Sequence, residues 1–173
     1  MNDGSEVTLN QVLASKRGAA GEIVNVDEAQ VKVVVFTLDI YWYAFRARSI
    51  REVLSEVPVF RLPQCPPSLE GVINVRGDIE SVIGLRNVLG YPDLPDGARS
   101  RVLLGQGAGM RSGLRVDRVE EVLDVPQSAL LPPPHTIPER LRDIVQSVFH
   151  FRDRPVTVLD LDRLFEDYRA GLR

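Results

Sequence analysis

Between residues 31 and 159 the apolar positions fall in short runs, and glycine, proline and aspartate break them repeatedly. Val31–Leu38 is rich in β-branched residues, which fit a pleated surface, and reads as a strand. Tyr41, Tyr43, Phe45 and Ala47 alternate with Trp42, Ala44 and Arg46, which predicts a second strand after a tight Asp39-Ile40 connection. Further strand-like runs follow at Val57–Leu62, Val72–Val75, Ile79–Ile83, Arg101–Leu104, Leu114–Val119, Val122–Val125, Ile144–Phe151 and Val156–Leu159. Turn residues separate them, at Pro63 and Pro66-Pro67, Gly77-Asp78, Gly90 to Gly97, Gly105 to Gly113, Pro132 to Pro134, and Asp153. Many short strands with frequent turns predict barrels or a sandwich. Leu164, Phe165 and Tyr168 recur at helical spacing and predict a C-terminal helix over 162–173. Residues 1–30 depart from this pattern and read as an N-terminal extension, helical in part.

The same pattern repeats. Ile50-Arg51-Glu52-Val53-Leu54 followed by Val57-Pro58 resembles Val119-Glu120-Glu121-Val122-Leu123 followed by Val125-Pro126, an offset of 69 residues. Val82 to Leu89 resembles Val158 to Phe165 in the same order, at an offset of 76. Two similar halves are therefore expected, over about 31–95 and 96–165, each a small β-barrel. Units of that size bury little surface alone and must lean on one another, and the cleft between them is a natural place for a partner.

Composition narrows the function. The 21 basic and 24 acidic residues leave a net charge of −3, without the basic excess a nucleic-acid binder uses against phosphates. No run approaches the roughly 18 apolar residues of a membrane helix, and the N-terminus lacks the basic and apolar regions of a signal peptide. A cytoplasmic protein that meets membranes only through partners is expected. Cys65 is the sole cysteine, and it can form neither an intrachain disulfide nor a zinc site by itself. The two histidines, His135 and His150, stand at no catalytic spacing from a nucleophile or carboxylate. Gly105-Gln106-Gly107-Ala108-Gly109 looks faintly like a dinucleotide fingerprint, but another strand follows instead of the helix that motif requires. The reading is of a non-enzyme without metal or cofactor.

Gly71-Val72-Ile73-Asn74-Val75-Arg76-Gly77 is more informative. A β-branched strand ends in an arginine and then in a glycine free to take positive φ. A guanidinium held there can fork onto a partner's carboxylate or carbonyls, or onto an acid of its own chain. Gly71, Gly77 and Gly113 are read as structural turn glycines.

From about Val31 to Leu164 the chain resembles the CheW-like domain of bacterial chemotaxis. The resemblance rests on an ordered set of residues. Val34 to Leu38 opens it, followed by Tyr43-Ala44, Ile50 to Leu54, Leu62-Pro63, Pro66 and the Gly71–Gly77 block. Leu85-Arg86, Leu89-Gly90, Gly113-Leu114, Val116 to Val119, Leu159-Asp160-Leu161 and Leu164 complete it. It implies an all-β fold of two packed five-stranded SH3-like barrels within 31–165, with terminal strands open to exchange between them. It further implies a scaffold that binds the cytoplasmic tip of a chemoreceptor and the regulatory domain of a CheA-type histidine kinase. Recruitment to membrane receptor arrays would then come through these partners. The receptor-binding positions carried over are Ile50, Glu52 and Arg76, and kinase contacts are expected on the second barrel.

The chain departs from the family pattern at two positions, where Ser81 and Gly84 replace a proline and an aspartate. The competing reading is a stand-alone module that modulates a histidine kinase in a pilus, gliding or surface-sensing pathway without touching a receptor.

Overall fold

The computed structural model describes residues 27–171, so the expected extension, up to residue 26, lies outside the described residues. The first half supplies β1 (Gln30–Leu38), β2 (Tyr41–Arg46), β3 (Ile50–Ser55), β4 (Leu69–Val75), β5 (Asp78–Gly84) and the short helix α1 (Leu85–Leu89). The second half supplies β6 (Arg101–Gly107), β7 (Met110–Val116), β8 (Arg118–Pro126), β9 (Val145–Phe151) and β10 (Arg154–Leu159). It also carries a single helical turn, α2 (Glu139–Arg142), and the C-terminal α3 (Leu161–Gly171).

These strands form two five-stranded sheets that exchange strands between the halves. One runs β8-β1-β2-β10-β9 and the other β3-β6-β7-β5-β4. Each sheet thus takes two strands from one half and three from the other, and the stretch near residue 95 separates two repeats of strand order, not two sheets. The repeat holds to the register. β5 pairs with β7 in parallel at Val82↔Gly113, and β10 pairs with β2 in parallel at Val158↔Ala44. Bulges recur at equivalent places, at Arg51 opposite β6 and at Glu120 opposite β1.

Three hydrophobic clusters follow from this geometry. Val33, Val35, Ala44, Phe149, Val156 and Val158 fill one barrel, and Ile73, Val82 and Val102 fill the other. The largest cluster lies between the barrels and joins Phe36, Leu38 and Phe45 to Leu103, Leu114, Leu161 and Phe165. β1 is buried on both faces because Val33 and Val35 point into its own barrel while Val34, Phe36 and Leu38 point into the shared core. A strand covered on both sides reads as a continuous apolar run, as Val31–Leu38 does.

Several expectations need correction. Val57–Leu62 is not a strand; only Phe60 pairs, in an isolated bridge to Val72. Pro58 and Pro63 lack the N–H groups a longer ladder would need. Gly105 to Gly113 is not a long loop, because β6 and β7 extend to a two-residue turn at Ala108-Gly109, both with positive φ. β8 is one strand, and the break falls at Asp117. Gly71 and Gly113 lie inside β4 and β7, so of the three glycines only Gly77 occupies a turn. Gly71 has φ of 149°, and a Cβ there would come within 2.2 Å of the Phe60 carbonyl oxygen.

Candidate functional site

β4 and β5 meet in a two-residue turn at Arg76-Gly77, with φ of 51° and 95°. Positive φ at both central positions gives the turn the twist of its strands, and glycine at the second makes it inexpensive. The Asn74 side-chain oxygen accepts a bond from the Gly77 N–H at 2.8 Å and steadies it. Arg76 is thereby lifted off the end of the hairpin, with 77% of its side chain exposed.

Its guanidinium reaches Glu52 on β3. Arg76 Nη1 donates to Glu52 Oε2 at 2.9 Å and Nη2 to Oε1 at 2.7 Å. β3 and β4 are the two edges of their sheet, so this bidentate pair spans the seam of the barrel. The Phe60–Val72 bridge, with bonds of 2.8 and 2.9 Å, closes the same seam. Two of the guanidinium's five N–H groups are engaged, and a partner can use the rest. Glu52 and Arg76 are thus brought together. Ile50 lies two residues before Glu52, beyond the bulge, half-buried against the shared core.

The other barrel carries a counterpart. β9 and β10 turn at Arg152-Asp153, with φ of 50° and 58°. Arg152 Nη2 donates to Glu121 Oε2 of β8 at 2.8 Å. The Leu131–Val148 bridge, at 2.8 and 2.9 Å, closes that seam. The repeat in the sequence already aligned Glu121 with Glu52, and Asp153 marked a turn, but without a glycine that turn did not show its likeness to Arg76-Gly77.

Arg86 and Asp117 form a structural pair. Arg86 of α1 donates to Asp117 through Nε at 2.8 Å and Nη2 at 3.0 Å, and both side chains are largely buried. Asp117 also accepts from the Asp39 N–H at 2.6 Å, tying α1 to the β1–β2 turn. The Tyr43 and Tyr91 hydroxyls share a 2.5 Å hydrogen bond, and burial pushes both phenols above their ordinary range. Neither histidine is buried, and among the described residues no group of His, Cys, Asp or Glu is placed to hold a metal. A cleft of about 390 Å³ lies between the halves, lined by Pro66, Val88, Leu141, Ile144, Leu164 and Tyr168.

The departures at Ser81 and Gly84 also find partners. The Ser81 hydroxyl lies 2.8 Å from that of Ser112 on the neighbouring β7. At Gly84, a Cβ would stand 2.6 Å from the Glu70 carboxylate, which pairs with Arg115.

The molecule is thus two exchanged barrels that share one core, each with an arginine–glutamate pair across its seam. The model of the CheW-like domain family matches residues 32–169, and the chain belongs to that family. The solved structure of the scaffolding protein TtCheW from Thermoanaerobacter tengcongensis superposes with a TM-score of 0.70 at 31% identity, covering 80% of this chain and 94% of that one. The probable chemotaxis protein CheW of Rhizobium etli is 23% identical over 84% of this chain and 94% of its own length. The chemotaxis protein CheW of Helicobacter pylori is 24% identical over 87% and 91%. Family membership makes this chain a scaffolding adaptor and not an enzyme.

Proposed function

We propose that this chain couples the cytoplasmic tip of a chemoreceptor to the regulatory domain of a CheA-type histidine kinase in chemotaxis-like signalling. The observation that carries the reading is Arg76, held by Glu52 at an exposed turn where its remaining donors face no competitor of its own chain among the described residues. A guanidinium fixed before binding loses little freedom when a partner arrives, and its fork suits carboxylates and main-chain carbonyls. No helix among the described residues is long and apolar enough to cross a membrane. On this reading the adaptor works in the cytoplasm and joins receptor arrays through its partners. Ser81 and Gly84, which supported a receptor-independent module, make their contacts with Ser112 and Glu70, neither of which belongs to the docking corner.

Arg76→Glu tests this. An exposed ion pair contributes at most about 1 kcal/mol, so the variant should fold and keep nearly its full stability. Affinity for a receptor-tip fragment should fall more than about tenfold, the scale for losing one partner of a charge-assisted contact. Affinity for the kinase regulatory domain should hold. Unchanged receptor binding with collapsed kinase binding would exchange the two faces.

A further inference from the structure

The strand that carries Glu52 also walls a groove rich in unneutralised arginine. One side of the groove is formed by Arg48, Ile50 and Arg51, and the other by the tip of the β6–β7 hairpin, Gln106 to Gly109. Arg48 is exposed and meets no acid or acceptor among the described residues. Arg51 Nε donates to the Gln106 side-chain oxygen at 2.6 Å, a neutral acceptor. Arg169 of α3 donates through Nη2 to the Ala108 carbonyl at 2.8 Å, again a neutral acceptor. Asp162, the acid at the hairpin tip, is taken up by the Ala108 N–H at 2.6 Å. Asp162 and Arg169 thus grip both backbone groups of Ala108 and fix the hairpin wall, while three guanidiniums around it lack a carboxylate. This surplus is local, because the chain as a whole has a net charge of −3.

The repeat shows that the backbone does not ask for arginine at these places. At the offset of 69 residues, Asp117 stands for Arg48 and Glu120 for Arg51. Arg51 and Glu120 are the same bulge residue in the two halves. Both acids are used within the chain: Asp117 binds Arg86, and Glu120 pairs with Arg118 at 3.3 Å. The first half reverses the charge at both places and supplies no counterion. Exposed guanidiniums cost little while water solvates them, and their fork suits carboxylates brought by a partner. Ile50 lies between them, half-buried, and offers the apolar contact. It stands two residues before Glu52, about 7 Å along the strand. A helix with its side chains is about 10–12 Å wide, so a helix docked on Arg76 and Glu52 also covers this groove.

We propose that Arg48 and Arg51 select the partner by charge: they receive carboxylates on the helical face of the receptor tip that docks at Arg76, so that an acidic tip is bound and a basic one refused. This rests on the reading of Arg76 as receptor-facing and adds to it the chemistry of the ligand. Charges at the rim of an interface act chiefly on the rate of encounter, and salt screens them. Arg48 and Arg51 therefore govern how fast the tip arrives, whereas the clasped Arg76 governs how long it stays.

The test is stopped-flow association of the full chain with a soluble coiled-coil hairpin fragment of a chemoreceptor tip, over a range of salt concentrations. Arg48→Glu and Arg51→Glu should each melt like the unaltered chain and slow association by about two- to fivefold, the range for one exposed ion pair. Dissociation should hardly change, and the double variant should flatten the salt dependence. Arg48→Lys and Arg51→Lys keep the charge and should keep the rate. Arg99→Glu, an equal change of charge in the exposed loop before β6, should also leave the rate unaltered. Equal slowing by Arg99→Glu would mean that net charge alone steers the encounter, and would overturn the proposal. Unchanged rates in Arg48→Glu and Arg51→Glu, with binding lost in Arg76→Glu, would overturn the proposal and leave the reading of Arg76 intact. Slowing by both groove variants with Arg76→Glu unaffected would keep the groove and remove Arg76. Capture of anionic phospholipid vesicles, lost in the double variant while tip binding stays whole, would give the groove to a membrane surface and overturn the proposal. No binding of the tip by the unaltered chain overturns both readings.

Discussion

At the scale of single residues, the two halves solve one electrostatic problem in opposite ways. Glu70 and Gln146 are equivalent bulge residues, and Gly84, the last residue of β5, is equivalent to Asp160, which follows β10. In the second half the carboxylate sits at Asp160, where it accepts from the Arg163 N–H at 3.2 Å and caps α3, while position 146 is an amide bonded to Arg46 at 2.6 Å. In the first half the carboxylate sits at Glu70, paired with Arg115, and position 84 is glycine. Each half therefore keeps one acid at this place. The helix after Gly84 has no side-chain cap and spans Leu85–Leu89, whereas the capped α3 spans Leu161–Gly171. Restoring an aspartate with Gly84→Asp would set two carboxylates together in a buried setting. Chemical denaturation should show a loss on the order of 2 kcal/mol, the cost of a buried charge left without a partner. Adding Glu70→Gln should recover most of it, with a coupling of about 1 kcal/mol or more between the sites. Independent, additive losses would show that the two positions do not compete. The sequence displayed the missing aspartate plainly, but its replacement lies fourteen residues away on another strand, where only the fold reveals it.

At the scale of elements, strands showed themselves wherever burial imposed a pattern. Val31–Leu38 and Val156–Leu159 were legible because burial leaves them nearly free of charge. Val57–Leu62 misled because an extended, apolar stretch has the composition of a strand whether or not a neighbour pairs with it. α1 and α2 went unseen because five and four residues are too few to display a helical period. α3 did display one, with Leu161, Leu164, Phe165 and Tyr168 buried along one face. That face lies over β6 at Gly105, where a Cβ would come within 2.8 Å of Leu161 and 3.6 Å of Phe165. Glycine here lets the helix approach the sheet, a role the dinucleotide-like spacing of Gly105 to Gly109 did not suggest. Phe165 is fully buried in the shared core. Phe165→Ala should therefore cost about 3–5 kcal/mol in a urea titration, the range for removing a large aromatic from a packed interior. A loss below about 1 kcal/mol would mean the helix is a peripheral addition to the barrels. The Arg76–Glu52 corner was half legible: the Arg-Gly ending of the hairpin marked Arg76, while its contact with Glu52 depends on a seam that no local pattern encodes.

At the scale of the whole molecule, the exchange of strands decides how the chain unfolds. Each sheet needs both halves: β1 and β2 pair with β8 and β10, and β6 and β7 pair with β3 and β5. The barrel interiors are small, and the largest cluster draws on both sheets. Two sequential barrels would each keep a complete sheet after the chain is cut between them; exchanged barrels would not. A cut between Asp96 and Gly97 falls in an exposed loop and severs no strand. A fragment of residues 1–96 would then hold five strands, but divided between two incomplete sheets, with Phe36, Leu38 and Ile83 uncovered. The same holds for residues 97–173 and Leu103, Leu114 and Phe165. Neither fragment should give a cooperative thermal transition alone, because each loses the apolar burial that opposes its conformational entropy. Mixed in equal amounts, the two should regain the far-ultraviolet circular dichroism and Trp42 fluorescence of the intact chain. They should then melt in one transition at a temperature that rises with concentration, as expected of an association. A fragment that melts cooperatively by itself would show that one half can close its own barrel, and that the exchanged strands are not essential to its stability.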